Sequence, residues 1–300
     1  MERADRPAIS PISRVTVTKM NHLVEVQHME HMNRKPNIKK LDKERYVNLK
    51  TGEVGEFKQS EVRSDSYNSL LQTFKKLRYL INNNYTGAGN ELFITLTYKE
   101  NMTDTKRLYT DFKKFMMKFR YKYEKEYGSI DYMTVVEPQE RGAWHHHLLV
   151  RFNDRPGEKL FIPSNEVAEI WGHGFIRINS LNEVDNIGAY LSAYLADVEL
   201  TDDNIGVAYR EKAEVVPKMV DGQEKAFIKG GRLRLYPTGM NLYRKSKGIR
   251  MPERHEMKYE DIKKVVGSTT PNYTNQIVVE QDDFTNTITY EQYNMKRGGQ

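Results

Sequence analysis

From Val135 to Val150 the chain reads Val-Val-Glu-Pro-Gln-Glu-Arg-Gly-Ala-Trp-His-His-His-Leu-Leu-Val, and three of its eight histidines fall in that stretch. Val135-Val136 and Leu148-Leu149-Val150 have strand composition, with Arg141-Gly142 as the turn between them. Successive side chains of a strand alternate faces, so His145 and His147 project together, close enough to share one metal ion. A hairpin returns Glu137 to their side; Gln139 or Glu140 takes its place if the register differs. Two neutral imidazoles and a carboxylate suit a borderline or hard divalent cation with positions open for substrate. The plainer reading is a chance histidine cluster at a strand edge. Many hydrolases that use a His-x-His pair follow it with Asp two residues on, and here that position is Leu149.

A second set follows. Tyr190 and Tyr194 are four apart in a segment of helical pattern and so share a face. A tyrosine hydroxyl is a weak nucleophile unless a base, a cation or the substrate's geometry assists it. A divalent metal withdraws charge from a phosphodiester. Two histidines followed by two tyrosines form a kit for cutting a nucleic-acid strand, although tyrosines at this spacing more often simply pack. Residues 225 to 250 add Lys225, Lys229, Arg232, Arg234, Arg244, Lys245, Lys247 and Arg250 with no acid among them, and Tyr236 and Tyr243 interleave. That mixture suits a phosphate backbone and stacked bases; the alternative is a solvated loop.

The elements that must carry these residues are legible in part. Residues 1 to about 20 show no period and read as a flexible arm, and a basic stretch runs through Arg34, Lys35, Lys39, Lys40, Lys43 and Arg45. Tyr46 to Val54 reads as a small hairpin. Ser64 caps a helix whose Tyr67, Leu70, Leu71, Phe74, Leu77 and Ile81 form an apolar face. Leu92 to Tyr98 is a strand. Thr103 or Asp104 caps a second helix with Leu108, Phe112, Phe115, Met116 and Phe119 inside. Pro163-Ser164 opens a short helix, Phe175 to Ile178 is a strand, and a third longer helix covers about 183 to 197. Strand, helix, strand, strand, helix, strand, helix predicts an α+β fold with helices on one face of the sheet.

At 38% hydrophobic and 29% charged, the 300 residues are polar yet sufficient for one or two cores. A net charge of +6 favours an acidic partner such as nucleic acid. The absence of cysteine excludes disulfides and thiolate zinc sites. No signal-peptide pattern or membrane span is expected, which fits a cytoplasmic protein with no membrane partner. No Gly-x-x-x-x-Gly-Lys-Ser/Thr loop is present, so neither a nucleotide cofactor nor an appended helicase is expected.

Phe93-Ile94-Thr95-Leu96-Thr97-Tyr98, His145-His146-His147-Leu148-Leu149 and Tyr190-Leu191-Ser192-Ala193-Tyr194 resemble, in that order, the three motifs of rolling-circle replication initiators. These are endonucleases named for a His-hydrophobic-His strand (the HUH superfamily). Trp171-Gly172-His173-Gly174-Phe175 is similar to phage and plasmid members of the filamentous-phage gene II type. The resemblance covers about 91–198, and extends less distinctly into 45–85 and 229–252. It implies an antiparallel sheet carrying the His pair, with the tyrosine helix packed over it in two layers and a basic C-terminal extension. It divides the chain into an N-terminal region over 1–60, an endonuclease domain over 61–200 and a DNA-contacting region over 201–300. It implies strand-specific nicking of origin DNA with Mg²⁺ or Mn²⁺ held by His145, His147 and Glu137. Tyr190, which aligns with the first tyrosine of the motif, would initiate and Tyr194 would terminate, through a 5′-phosphotyrosine. Lys229, Arg232, Arg234, Arg244, Lys245 and Lys247 would contact DNA. A host bacterial helicase and polymerase would complete replication in the cytoplasm.

The pattern departs from the family at two positions. His146 stands where a bulky apolar residue is usual, and should face away from the metal. Ala193 stands where many members carry Lys, so another basic residue or the metal must stabilise the phenolate. The alternatives are a single-tyrosine transposase of the same superfamily, a small-molecule metal hydrolase, and an origin-binding or repressor protein with a decayed nuclease centre.

Overall fold

In the computed structural model the described residues are 9–32, 37–42, 44–57, 67–139, 141–182, 184–200, 214–220, 223–237, 239–281 and 284–297. The chain forms two compact units: Val62–Met251, and a unit made from both ends, Met1–Glu61 with Pro252–Gln300. The three-part division read from sequence is therefore replaced by an insertion, in which the chain leaves one unit, builds the other and returns. Ser64, Arg34, Lys35, Lys43 and Glu140 lie outside the described residues.

The expected flexible arm contains strand. β1 (Arg14–Met20) and β2 (Leu23–Met29) form an antiparallel hairpin, because Val15 and Val17 on one strand and Val24 and Val26 on the other are all buried. β3 (Ile38–Lys40), β4 (Arg45–Asn48) and β5 (Val54–Glu56) make a small sheet that contains the predicted hairpin.

The inserted unit opens with α1 (Tyr67–Asn84), whose Leu77, Leu80 and Ile81 are buried. β6 (Glu91–Thr97) and α2 (Thr105–Tyr127) follow. Asp104 is the cap of α2: its carboxylate accepts from the Lys106 and Arg107 amides at 2.8 and 3.1 Å. β7 (Ile130–Pro138) and β8 (Trp144–Phe152) come next. The turn joining them uses Gly142 at φ +86°, a left-handed conformation that glycine tolerates. Then come α3 (Ser164–Trp171), β9 (Ile176–Asn179) and α4 (Ile187–Ala196). β10 (Val198–Glu199), β11 (Val215–Val220) and β12 (Gln223–Ile228) form a small sheet, and β13 (Tyr243–Lys245) completes the unit.

The central sheet has the order β13-β7-β8-β6-β9, and each neighbouring pair is antiparallel. Both of its faces are covered, which corrects the expectation of helices on one face and of a two-layer fold. The strands are apolar on both sides. Ile94, Leu96, Leu148 and Val150 pack with Phe112, Phe115 and Phe119 of α2, whereas Phe93, Met133, Val135 and Leu149 pack with Leu77 and Ile81 of α1 and with Ile187, Leu191 and Leu195 of α4. The fold class remains α+β. Two helices cross closely at Gly188, where a Cβ would lie 2.6 Å from the Arg78 carbonyl oxygen. The Gly188 amide donates to Asn82 Oδ1 at 2.7 Å, and Asn186 caps α4 by accepting from the Ala189 amide at 2.9 Å. This cap puts the start of the helix later than residue 183.

β14 (Arg254–Lys258), β15 (Tyr273–Gln281) and β16 (Phe284–Asn294) return to the first unit. Its sheet runs β14-β1-β2-β16-β15, so the N-terminal hairpin is paired on both sides by C-terminal strands. Ile262, Val266 and Tyr293 close its core. Among the described residues, no helix is long and apolar enough to cross a membrane.

Candidate active site

The register of the central sheet sets the geometry of the histidines. His145 stands opposite Glu137 on β7 and Thr97 on β6; His147 stands opposite Val135 and Thr95. Phe93, Thr95 and Thr97 share the face of the sheet that α1 and α4 cover, and the His147 ring stacks on Phe93 at 5.6 Å. His146 points the other way, where it stacks on Phe112 at 4.6 Å and hydrogen-bonds Leu108 O and Thr134 Oγ1. Its full burial pushes its pKa down to about 3, so it is a neutral core residue.

Glu137 and His147 are 3% and 2% exposed, and they contact each other through Oε2 and Nε2. A carboxylate only accepts, so Nε2 carries the proton and the Thr95 hydroxyl donates to Nδ1 at 3.3 Å. The other carboxylate oxygen takes the Arg232 guanidinium at 2.8 Å. Burial opposes the charge on Glu137, but the His147 hydrogen bond and the charges of His147 and Arg232 outweigh it and hold the carboxyl below its usual range. His145 Nδ1 meets the Gln139 amide at 3.2 Å, while its Nε2 is buried without a hydrogen-bond partner. Burial pushes the His145 pKa down to about 4, so the ring is neutral at physiological pH.

In this conformation, and among the described residues, no group of three His, Asp or Glu side chains converges so as to hold a metal ion. The donor set nonetheless fits a divalent cation. His145 presents an unsatisfied buried nitrogen, and the His147–Glu137 contact holds a proton between two groups that a cation could bridge in its place. Gln139 serves here as the partner of His145.

Arg232 is the residue that sequence reasoning misassigned. It was expected on a DNA-contacting surface, but it is largely buried. Its Nη1 also donates to Pro138 O at 2.8 Å, its Nε to Asp197 O at 3.2 Å, and its amide to Ala196 O at 2.9 Å. It therefore ties the carboxyl end of α4 to the end of β7 at Glu137. No local signal in the sequence distinguishes it from its basic neighbours.

Other charges of the 225–250 run are also met from outside the run. Lys225 pairs with Glu199 at 2.9 Å and Lys229 with Glu214 at 2.8 Å. Tyr236 is not a stacking platform: it is buried, with its hydroxyl on Val136 O and Leu195 O. Arg244 covers the Tyr109 ring on α2, away from the histidine face. Lys245 and Lys247 are exposed. Tyr190 is half exposed on α4. The side chains of Tyr194 and Arg234 lie outside what the structure describes, although Tyr194 sits in the last turn of α4.

A family model for replication-associated proteins of the ORF2 and phage gene II protein type matches residues 91–199, from β6 through β10. The matched segment holds the His strand, Glu137 and α4, and it associates this part of the chain with replication. No curated protein and no solved structure matches the chain.

Proposed function

We propose that the chain is a rolling-circle initiator that nicks and rejoins one strand of origin DNA through tyrosine. The observation that carries this reading is the sharing of one sheet face: His145, His147 and Glu137 lie on the side over which α4, with Tyr190 and Tyr194, is packed. His145, His147 and Glu137 would hold Mg²⁺ or Mn²⁺, which would draw charge from the scissile phosphate. Thr95 orients the His147 ring, and burial keeps His145 in the neutral form that ligates. Arg232 keeps Glu137 ionised and fastens the tyrosine helix beside it.

The tyrosyl oxygen attacks phosphorus, the bond from phosphorus to the 3′ oxygen breaks, and the phenolic proton passes to solvent while the 3′ oxygen gains one. The products are a 5′-phosphotyrosine and a 3′-hydroxyl for a host polymerase. The new bond is again a phosphodiester, so rejoining is the reverse step and needs no nucleotide. A host helicase would open the duplex.

The direct His147–Glu137 contact and Ala193 favour one second reading, an origin-binding protein with a decayed centre. A labelled single strand from the cognate replicon, incubated with Mn²⁺ and resolved on a denaturing gel, separates the two. A covalent protein–DNA band supports the nuclease, and retention without a band supports the binder. His145→Ala and His147→Ala should each lower the band about 100-fold or more, with an unchanged circular dichroism spectrum. A double variant that nicks at the wild-type rate would remove these residues from the site.

The remaining exposed cations should act through phosphates. Lys245→Gln and Lys247→Gln should each lower the slope of log K against log salt by about one unit if the side chain meets a phosphate. Lys229→Gln should change it less, because Glu214 already neutralises that charge. An unchanged slope in the first two variants would return the 245–247 corner to a purely structural role.

A further inference from the structure

Two side chains on the edge strand of the central sheet face the same way as the histidines, and nothing above uses them. β9 pairs with β6 in the register Ile176 to Leu96, Arg177 to Thr95 and Ile178 to Ile94. Ile176 and Ile178 pack into the core on the α2 side. The alternation of the strand therefore turns Phe175, Arg177 and Asn179 to the opposite face, which is that of Thr95, Thr97, His145 and His147. One residue before β9, Phe175 stands opposite Thr97, and its carbonyl accepts from the Thr97 amide at 2.9 Å. Thr97 is in turn opposite His145, and His145 opposite Glu137. Phe175, Thr97, His145 and Glu137 are thus one row across four strands. At about 4.8 Å per strand, Phe175 stands roughly 10 Å from His145.

Phe175 is 71% exposed, and Arg177 is exposed beside it. Single exposed apolar residues are ordinary on protein surfaces, so exposure alone carries nothing. This one is rigidly held on the working face. A Cβ at Gly174 would lie 2.3 Å from Thr97 O, so only glycine lets this loop close onto β6. Trp171 Nε1 donates to the same Thr97 carbonyl at 3.0 Å, and the Lys99 amide donates to His173 O at 2.9 Å. The Trp171–Phe175 segment is clamped to the end of β6 from both sides, and it projects an aromatic ring at the edge of the site. The guanidinium of Arg177 has one described hydrogen bond, from Nε to Asn179 Oδ1 at 3.1 Å, which leaves donors of its fork for an anion.

We infer that Phe175 is a stacking platform for an unpaired base of the single strand lying across the histidine face, and that Arg177 holds a neighbouring phosphate. An aromatic face accepts any base, so the pair would position the strand and fix its path without reading its sequence. The inference rests on the nuclease reading for the identity of the strand, but it is tested by binding alone.

The probe is fluorescein-labelled oligo(dT), titrated into the full chain by anisotropy without metal, so that no cleavage enters. Phe175→Ala and Phe175→Leu should both weaken binding about 5- to 150-fold, the span that one stacked base carries. Phe175→Trp should bind as tightly as wild type. Trp144 and Trp171 are buried, so quenching on DNA addition that is seen in Phe175→Trp and absent in wild type reports a base against position 175. Arg177→Gln should lower the salt slope by about one unit. Wild-type affinity in Phe175→Ala overturns the inference, and so does full affinity in Phe175→Leu, which would mean apolar bulk without stacking. Either result leaves covalent nicking untouched. Conversely, a wild-type chain that forms no adduct with replicon DNA but loses oligo(dT) at Phe175→Ala would sink the nuclease reading and keep the platform.

Discussion

Tyr190→Phe is expected to lose most of the initial protein–DNA adduct, whereas Tyr194→Phe should nick the origin but release few finished circles. Phenylalanine keeps the ring and removes the nucleophile, so packing on α4 is preserved while chemistry is deleted. A replication cycle needs two strand transfers, one to start and one to close the circle. Two tyrosines about one helical turn apart, roughly 5.4 Å along the axis, can present hydroxyls to neighbouring points of one substrate. The first would hold the 5′ end while the second attacks the regenerated origin. Half exposure of the Tyr190 ring is consistent with access to a strand. The double variant should form no adduct at all. Mass spectrometry of the trapped adduct checks the assignment: DNA on Tyr98 or Tyr236 would overturn it. Both of those rings are buried, with Tyr98 on Asp111 and Tyr236 on two carbonyls.

The second large effect is on stability. Arg232→Ala should cost the inserted unit about 3–5 kcal/mol, the usual penalty for leaving one member of a buried ion pair without its partner. Both side chains are largely buried, so solvent does little to screen the loss. Arg232→Lys should recover part of this, because it keeps the charge but not the fork that reaches Pro138 O and Asp197 O together. Trp144 and Trp171 both lie in this unit and are buried, so urea unfolding followed by tryptophan emission reports it directly. The pH dependence has a definite sign. Glu137 is held below its usual value of 4.5, so its contribution is complete above that value and falls away as the pH drops through its lower folded value. Arg232→Ala should flatten this acid limb. Equal stability of wild type and Arg232→Ala at pH 7 would mean that the pair contributes nothing.

The local parts of the site were readable because they obey short-range rules. Alternation put His145 and His147 together, Gly142 marked the turn, and Asp104 was one of two caps considered for α2. Long-range partners were not readable. A window from 225 to 250 holds no acid, yet Glu137, Glu199 and Glu214 fold back onto Arg232, Lys225 and Lys229. The N-terminal strands looked periodless because β1 is short and its partners β14 and β2 lie on opposite sides of it in sequence and space. Phe175 passed as an ordinary strand residue until the register showed which way Ile176 and Ile178 point.

The insertion of one unit within the other has a consequence for how the chain comes off the ribosome. The β1–β2 hairpin is made first, but β14 and β16, which pair along its two sides, are made only after residue 253. At about 5–20 residues per second, that delay is of order ten seconds to a minute. Throughout it the hairpin has two bare edges and an uncovered valine face, which is the configuration most open to wrong pairing with another chain. The central sheet and its helices, all encoded between, can close meanwhile. The nascent protein is therefore expected to own a finished histidine-bearing core before its opening strands have found their neighbours.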